Sequence, residues 1–149
     1  LDSSFFCCGF GAGSSFFCSF LNFHIFFFSP FLIRSTIAEK LNVYHQIGIE
    51  PRLSFGNVFD PKQQSFFRNM IDPVNIKESP DYVMIYGVDV DKNASVVIEN
   101  KDKRGINQLS VYPIANNHFV IFPAYLRFFM NENDSSQTNI FLTTTYVKI

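Results

Sequence analysis

The chain is long enough for one domain with a single hydrophobic core, and its charge is close to neutral. It has 149 residues, with 12 Lys and Arg against 13 Asp and Glu, which gives a net charge of −1. A chain so near neutrality has no general attraction for nucleic acid or anionic lipid, which excludes proteins that bind these partners through charge alone. The three cysteines are an odd number and make a poor disulfide framework.

The beginning of the chain differs in composition from everything that follows it. Phenylalanine supplies 20 of the 149 residues, and many of these lie before Arg34. Asp2 is the only charged residue in that stretch. This break in composition predicts an apolar extension, residues 1–28, followed by a folded domain, residues 29–149.

Two interpretations of the extension involve a membrane. Residues 16–33 are nearly long enough to cross a bilayer as a helix, which would make the protein membrane-associated, although Asn22 and His24 weaken this interpretation and Pro30 would interrupt a helix. A secretory signal is the second interpretation, but no basic segment precedes the apolar run.

The third interpretation is an extended arm that packs inside a larger assembly. Residues 20–27 place one wholly apolar face at strand spacing. Such an arm would aggregate unless other protein subunits covered it, so it predicts an oligomeric protein. The residues that we expect to contact the partner are all phenylalanines: Phe16, Phe17, Phe20, Phe23, Phe26, Phe27 and Phe28.

Two short helices are predicted at the start of the domain. The spacing of Thr36 and Glu39 is that of a capping box, which predicts a helix that ends near Gln46. An acidic N-cap followed by proline predicts a second helix over residues 60–71.

The remainder of the domain reads as strands separated by polar turns. Many short strands of this kind are typical of a sandwich or jelly roll, so the predicted fold class is mainly β with one or two short helices. The strands are predicted over residues 82–88, 95–99, 108–114, 118–122, 125–130 and 138–147.

A motif near the carboxyl end gives this fold a more specific form. Residues 122–126 read F-P-A-Y-L, and Asn133 follows in a short polar loop. This pattern resembles a family of small iron(II)/2-oxoglutarate oxygenase-like proteins, common in phage and marine bacterial genomes. Their pattern is roughly F-P-S-W-L-x-H, then an acidic or Asn-containing loop, then an Arg that opens the last strand. The resemblance is specific over residues 118–149 and implies a double-stranded β-helix, a form of jelly roll.

The same resemblance implies that the catalytic residues of the family are missing. Phe128 stands where the family has its distal metal-binding His, and Asn139 stands where it has the Arg that binds the co-substrate carboxylate. A non-haem iron site of this type uses two His and one carboxylate. None of the three histidines, His24, His45 and His118, is followed two residues later by an Asp or a His, so the chain has no His-x-Asp or His-x-His motif. We therefore expect a degenerate site with no catalytic residue, no metal and no cofactor.

Two functions from different classes follow from these expectations. The first is a non-catalytic structural protein, a degenerate oxygenase-like jelly roll that contributes to a larger assembly such as a virion, without nucleic acid as a partner. The alternative is an iron(II)/2-oxoglutarate oxygenase with relocated ligands, or a membrane-anchored binding domain.

Overall fold

The computed structural model describes residues 6–8 and 30–149, and within these the side chains of residues 33–43 and 45–149. The described residues contain one α-helix, one short 3-10 helix and eight strands. Their bounds are α1 Pro30–His45, a 3-10 helix Ile76–Glu78, β1 Phe6–Cys8, β2 Ile49–Phe59, β3 Tyr82–Asp89, β4 Ser95–Lys101, β5 Asn107–Pro113, β6 Phe119–Pro123, β7 Phe128–Met130 and β8 Asn139–Lys148.

The strands form two antiparallel sheets that face each other. The larger sheet has the order β1-β6-β3-β8-β2, and the smaller has the order β5-β4-β7. The chain passes from one sheet to the other at β3 to β4, at β5 to β6, at β6 to β7 and at β7 to β8. The mainly β jelly-roll fold predicted from the sequence is therefore confirmed.

The main hydrophobic core lies between the two sheets. Side chains alternate along a strand, so Val83 and Ile85 of β3 point into this core while Met84 and Tyr86 point to the other face of the sheet. The smaller sheet contributes its own inward-facing residues. The buried members of this core are Val83, Ile85, Ala94, Val96, Ile98, Ile114, Val120, Phe122, Ala124, Leu126, Phe128, Met130 and Phe141.

A second core lies on the opposite face of the larger sheet, where α1 covers it. Ile37 and Leu41 of the helix pack in one cluster with Met84 and Tyr146. The Tyr146 hydroxyl donates a hydrogen bond to the carbonyl oxygen of Arg34, 3.1 Å away, and so joins β8 to the helix. Tyr146 is fully buried, and this burial raises the pKa of its phenol above the ordinary value, so the phenol stays a neutral donor.

The helix predicted from the capping box exists, but it begins earlier than predicted. It starts at Pro30, so Thr36 lies inside the helix instead of capping it. Proline suits the first helical position because its φ is already fixed and its missing N–H would have no partner in the helix. The predicted end near Gln46 is confirmed, because Gln46 adopts a positive φ of 55° and its N–H bonds to the carbonyl of Asn42.

The second predicted helix, over residues 60–71, is wrong. Lys62 has a positive φ of 71°, and the segment runs as an irregular extended chain along β7. Arg68 exchanges backbone hydrogen bonds with Phe128 in both directions, at 3.0 and 2.8 Å. The free edge of β7 offers the segment hydrogen bonds that a local helix would forgo, so tertiary pairing overrides the local propensity.

Strand β2 is the longest element that the sequence did not predict, and β1 and the 3-10 helix were not predicted either. Strand β2 is an 11-residue edge strand that pairs along its length with β8. Its alternation is weak because Ser54, Gly56 and Asn57 interrupt the apolar pattern. The six predicted strands are all present, and the one predicted over residues 125–130 shortens to Phe128–Met130 because a turn occupies its first half.

Gly87 occupies a place where a side chain has no room, and this generates a prediction about stability. A Cβ there would lie 2.4 Å from the backbone oxygen of Ala115, which cannot move freely. We expect Gly87→Ala to lower the free energy of unfolding by about 1–3 kcal/mol through overpacking, measured by urea denaturation. Gly56→Ala is the matched control, because nothing lies within 4 Å of its added Cβ. Equal stability of the two variants would contradict the crowding that the structure shows.

Candidate functional site

The carboxy-terminal motif forms the turn that carries the chain from β6 to β7. Phe122 and Ala124 are fully buried, whereas Tyr125 exposes 61% of its surface. The backbone of Ala124 is fixed on both sides, because its N–H bonds to the Asp81 carbonyl at 2.9 Å and its carbonyl accepts from the Met70 N–H at 3.1 Å. The aromatic-proline frame therefore positions the residue that opens β7.

Phe128 is that residue, and its ring lies in the core between the sheets. It packs against Phe122 with ring centroids 5.0 Å apart and the planes at 65°, an edge-to-face contact. The two backbone hydrogen bonds with Arg68 hold the other side of the strand. The structure thus places a buried, closely packed hydrocarbon ring at the position for which the sequence resemblance implies a metal ligand.

Asn139 is also buried, and its side chain is engaged in holding a turn. It opens β8 on the same face of the strand as Phe141, which belongs to the core between the sheets. Its Oδ1 accepts a hydrogen bond from the Asp91 N–H at 2.8 Å, in the turn between β3 and β4. Phe128 and Asn139 therefore lie on strands of the two facing sheets, and both have structural contacts.

Asn133, the loop residue of the motif, uses both ends of its amide to shape the loop before β8. Its Nδ2 donates to the carbonyl oxygens of Phe59 and Gln137, at 2.9 and 2.7 Å. Its Oδ1 accepts from the N–H and the hydroxyl of Ser135, at 3.0 and 2.7 Å. Because this amide is fully buried and makes four hydrogen bonds, its role is to hold the loop in place.

The histidines that the structure describes do not come together. His45 is the last residue of α1, and His118 lies just before β6, where its Nδ1 is 3.0 Å from the carbonyl oxygen of Asn116. His24 lies outside the described residues. Within residues 6–8 and 30–149 no three His, Cys, Asp or Glu side chains are grouped so that they could hold a metal ion.

Two open grooves flank Tyr125, and the sequence analysis did not find them. One has a volume of about 590 Å³ and collects residues from three separate segments, which no local motif would reveal. The other measures about 370 Å³. The residues that line the first are Glu99, Asn100, Lys101, Asn107, Tyr125, Leu126 and Arg127.

The first groove has polar side chains in its wall. Glu99 and Arg127 form an ion pair at 3.5 Å, and the guanidinium of Arg127 also lies 3.9 Å from the centre of the Phe67 ring. The side-chain oxygen of Asn100 is buried and accepts no hydrogen bond within the part of the chain that the structure describes. This wall is mixed in charge and differs from the apolar interior around Phe128.

The seven phenylalanines expected to contact a partner lie outside the described residues, so their role stays a prediction. The same holds for most of the apolar run over residues 16–33. Among the described residues, no helix has both the length and the apolar character that a membrane span requires. The described part of the extension is β1, which pairs with β6 at the edge of the larger sheet.

Sequence comparison and structure comparison give different amounts of information. No protein-family model matches this sequence, and no curated protein sequence matches it. Solved structures do match, and they include a 2OG-Fe(II) oxygenase-family protein and a non-heme alpha ketoglutarate dependent epimerase.

Three of these structures illustrate the likeness. One is an oxidoreductase of the 2OG-Fe(II) oxygenase family from Burkholderia pseudomallei, with a TM-score of 0.55, 8% identity and coverage of 68% of this chain and 46% of that one. AviO1 from Streptomyces viridochromogenes has a TM-score of 0.58, 12% identity and coverage of 78% and 59%. The non-heme alpha ketoglutarate dependent epimerase SnoN, from nogalamycin biosynthesis, has a TM-score of 0.59, 8% identity and coverage of 80% and 57%.

These likenesses define the class of fold. At such low identity they show that this chain has an oxygenase-like jelly roll. The chain spans about half the length of the structures that it matches. The activity of those proteins is therefore not carried over with the fold.

The packing of Phe128 generates a prediction that separates its role from that of an exposed phenylalanine. We expect Phe128→Ala to lower the free energy of unfolding by about 3–5 kcal/mol, because it opens a cavity beside Phe122. Phe66→Ala is the control, since Phe66 is 89% exposed and should lose almost nothing. Urea denaturation of both variants measures the difference, and a cost at Phe128 no larger than that at Phe66 would contradict its place in the core.

Proposed function

We propose that this protein is a non-catalytic member of the oxygenase-like jelly-roll class that serves as a structural part of a larger assembly. The observation that carries the proposal is the burial of Phe128 and Asn139 together with the contacts that they make. Both are buried, and both are committed to contacts that hold the fold together. In this proposal the jelly roll is a structural scaffold without an active site.

The residues around Phe128 do not fit an iron ion. Iron in this fold class is bound by two imidazoles and one carboxylate. A phenyl ring has no lone pair to donate, and the neighbours of Phe128 in the core, such as Phe122, Met130 and Phe141, supply no carboxylate or imidazole. A close-packed interior of this kind leaves no space for a hydrated metal without loss of packing.

Asn139 likewise does not fit a co-substrate carboxylate. An arginine binds a carboxylate with two parallel charged hydrogen bonds. The amide of Asn139 is neutral, and its oxygen already accepts from the Asp91 N–H. The side chain is therefore engaged with the turn between β3 and β4, where it supports the fold.

The apolar extension supports the assembly part of the proposal. Its run of phenylalanines carries no charge between Asp2 and Arg34, and such surface is stable in water only when another surface covers it. In this proposal the phenylalanines at 16, 17, 20, 23 and 26–28 insert into neighbouring subunits. The family that the sequence resembles is common in phage genomes, so the assembly that we propose is a virion.

The non-catalytic character is tested by equilibrium dialysis of the full chain against iron(II) and 2-oxoglutarate without oxygen. We expect no saturable binding of either, because Phe128 and Asn139 cannot supply the contacts. His118→Ala and His45→Ala are measured beside the wild type. Saturable iron binding that either variant abolishes would show a metal site with relocated ligands and overturn the proposal.

The role of the extension is tested in the full chain by replacing Phe20, Phe23, Phe26 and Phe27 with serine. We expect the wild type to form species larger than a dimer and the variant to lose them, because four apolar contacts are removed. Light scattering coupled to gel filtration measures the masses. Unchanged large species would contradict the arm, and loss of binding to phosphatidylcholine vesicles in place of loss of assembly would favour the membrane-associated alternative.

A further inference from the structure

Most sheet edges of the described residues are protected against pairing with another chain. The edge strand beyond β6 is β1, which is only three residues long, and the edge of β7 is closed by the bridge at Arg68. Strand β2 is an edge too, but it carries Pro51 between Glu50 and Arg52, and its register shifts just there. Charges, proline and bulges are the devices by which edge strands avoid further pairing.

Strand β5 has no charge, no bulge and no proline before its last residue, Pro113. It pairs with β4 over seven consecutive residues without a register shift, and its sequence N-Q-L-S-V-Y-P has no charge and no proline before its last position. No described strand lies on its other side. A straight, uncharged edge of this kind is the type that accepts another strand.

The hydrogen bonds of β5 show which backbone groups are left for a partner. The Ile114 N–H donates to Ala94, and the Ile106 carbonyl accepts from Asp102, so the even-numbered residues face β4. In an antiparallel strand the groups of alternate residues point to opposite sides. The N–H and C=O groups of Asn107, Leu109 and Val111 therefore point outward.

Two of these residues also present apolar side chains to solvent. Leu109 is 57% exposed and Val111 is 61% exposed. Because Val111 lies opposite Val97, and Val97 lies opposite Phe129, these side chains continue one face of the smaller sheet outward to its edge. A strand that docks beside β5 would extend this face and cover both exposed side chains.

We propose that the partner of this edge is a second copy of the chain, joined through β5 to β5 about a two-fold axis at Ser110. In this register Leu109 lies opposite Val111 of the partner subunit, and the reverse contact follows from symmetry. The outward N–H and C=O groups of both residues then match in hydrogen-bonded pairs.

The ends of the strand agree with the same register. Asn107 comes opposite Pro113 of the partner subunit, and the Asn107 N–H donates to the Pro113 carbonyl, while proline needs no acceptor because it has no N–H. A slip of the partner strand by one residue, which moves the axis by half a residue, would set outward groups against groups that face β4, so the pairing would lose its hydrogen bonds. The two three-stranded sheets thereby become one continuous sheet across the dimer.

This inference goes beyond the proposed function, because it depends only on the geometry of β5. It holds whether or not the phenylalanines of the extension join further copies. The two associations use different parts of the chain and can therefore be separated by experiment.

The first test is the mass of the full chain and of Val111→Lys by light scattering coupled to gel filtration. We expect a dimer, of twice the 17.2 kDa chain mass, once the four Phe→Ser changes have removed any larger species. Val111→Lys in that background should become monomeric, because it sets a charge against Leu109 of the partner subunit. Val58→Lys is the matched control: Val58 is 60% exposed on the edge strand β2, and its variant should stay dimeric.

The second test is a cross-link at the proposed axis. In this register Ser110 and its symmetry mate form a non-hydrogen-bonded pair with Cα atoms about 4.5 Å apart, within reach of a disulfide. Mild oxidation of Ser110→Cys should give a 110–110 linkage, located by peptide mass mapping among the native cysteines. Gln108→Cys should give no 108–108 linkage, since the two positions lie about 13 Å apart along the strands.

Three outcomes would overturn the β5 dimer. These are a monomeric chain at every concentration, a dimer that Val111→Lys leaves intact, and equal cross-linking at positions 108 and 110. A dimer that persists in Val111→Lys but disappears with the four Phe→Ser changes would assign the association to the extension alone. In that case the β5 inference fails while the proposed function stands.

Discussion

The packing between the inner faces of the two sheets is the constraint on which the rest of the structure depends. Phe122 is the last residue but one of β6 and Phe128 opens β7, so their edge-to-face contact fixes the point at which the chain crosses from one sheet to the other. The segment over residues 60–71 then lies along β7 because that strand is held in place and its edge is free to bond. A metal site at the same point would need polar ligands and open volume, and the packed rings supply neither.

Several buried polar side chains of this protein bond to the backbone of other segments. Asn133 donates to one carbonyl of its own loop and to the carbonyl of Phe59 at the end of β2, and it accepts two hydrogen bonds from Ser135. Asn139 holds the turn between β3 and β4. Tyr146 reaches from β8 to the helix. Because a buried polar group is costly without a partner, each of these contacts fixes one connection of the fold. The buried side-chain oxygen of Asn100, which accepts no hydrogen bond within the described residues, lies in the groove beside Tyr125, away from the core.

The sheet edges connect the fold to the assembly that we propose. Among the described edge strands, β1 is short, β7 is bridged and β2 is interrupted, whereas β5 is straight and uncharged. Because the core is closely packed, the protein contacts other subunits through its surface. The outward N–H and C=O groups of β5 are a part of that surface that can form hydrogen bonds with another strand. Edge pairing and an apolar extension are two independent ways for one small domain to join other subunits.

The sequence by itself determined the class of fold and the ends of many elements. The alternation in residues 82–88, the polar turns and the F-P-A-Y-L motif are local patterns, and local patterns define strands and turns without knowledge of their partners. The same patterns identified Phe128 and Asn139 as departures from a family pattern. The helix was also found, although its true start at Pro30 was hidden by the apolar run before it.

Tertiary structure alone decided the remaining features. Residues 60–71 carry the signals of a helix, but the edge of β7 gives their backbone better partners, and β2 is a strand because β8 pairs with it although its own alternation is weak. The groove beside Tyr125 forms from segments that are distant in the sequence. The position of β5 at a sheet edge, among the described strands, depends likewise on which strands pair. Hydrogen bonds between strands and contacts between sheets depend on which segments become neighbours, and one linear pattern does not contain that information.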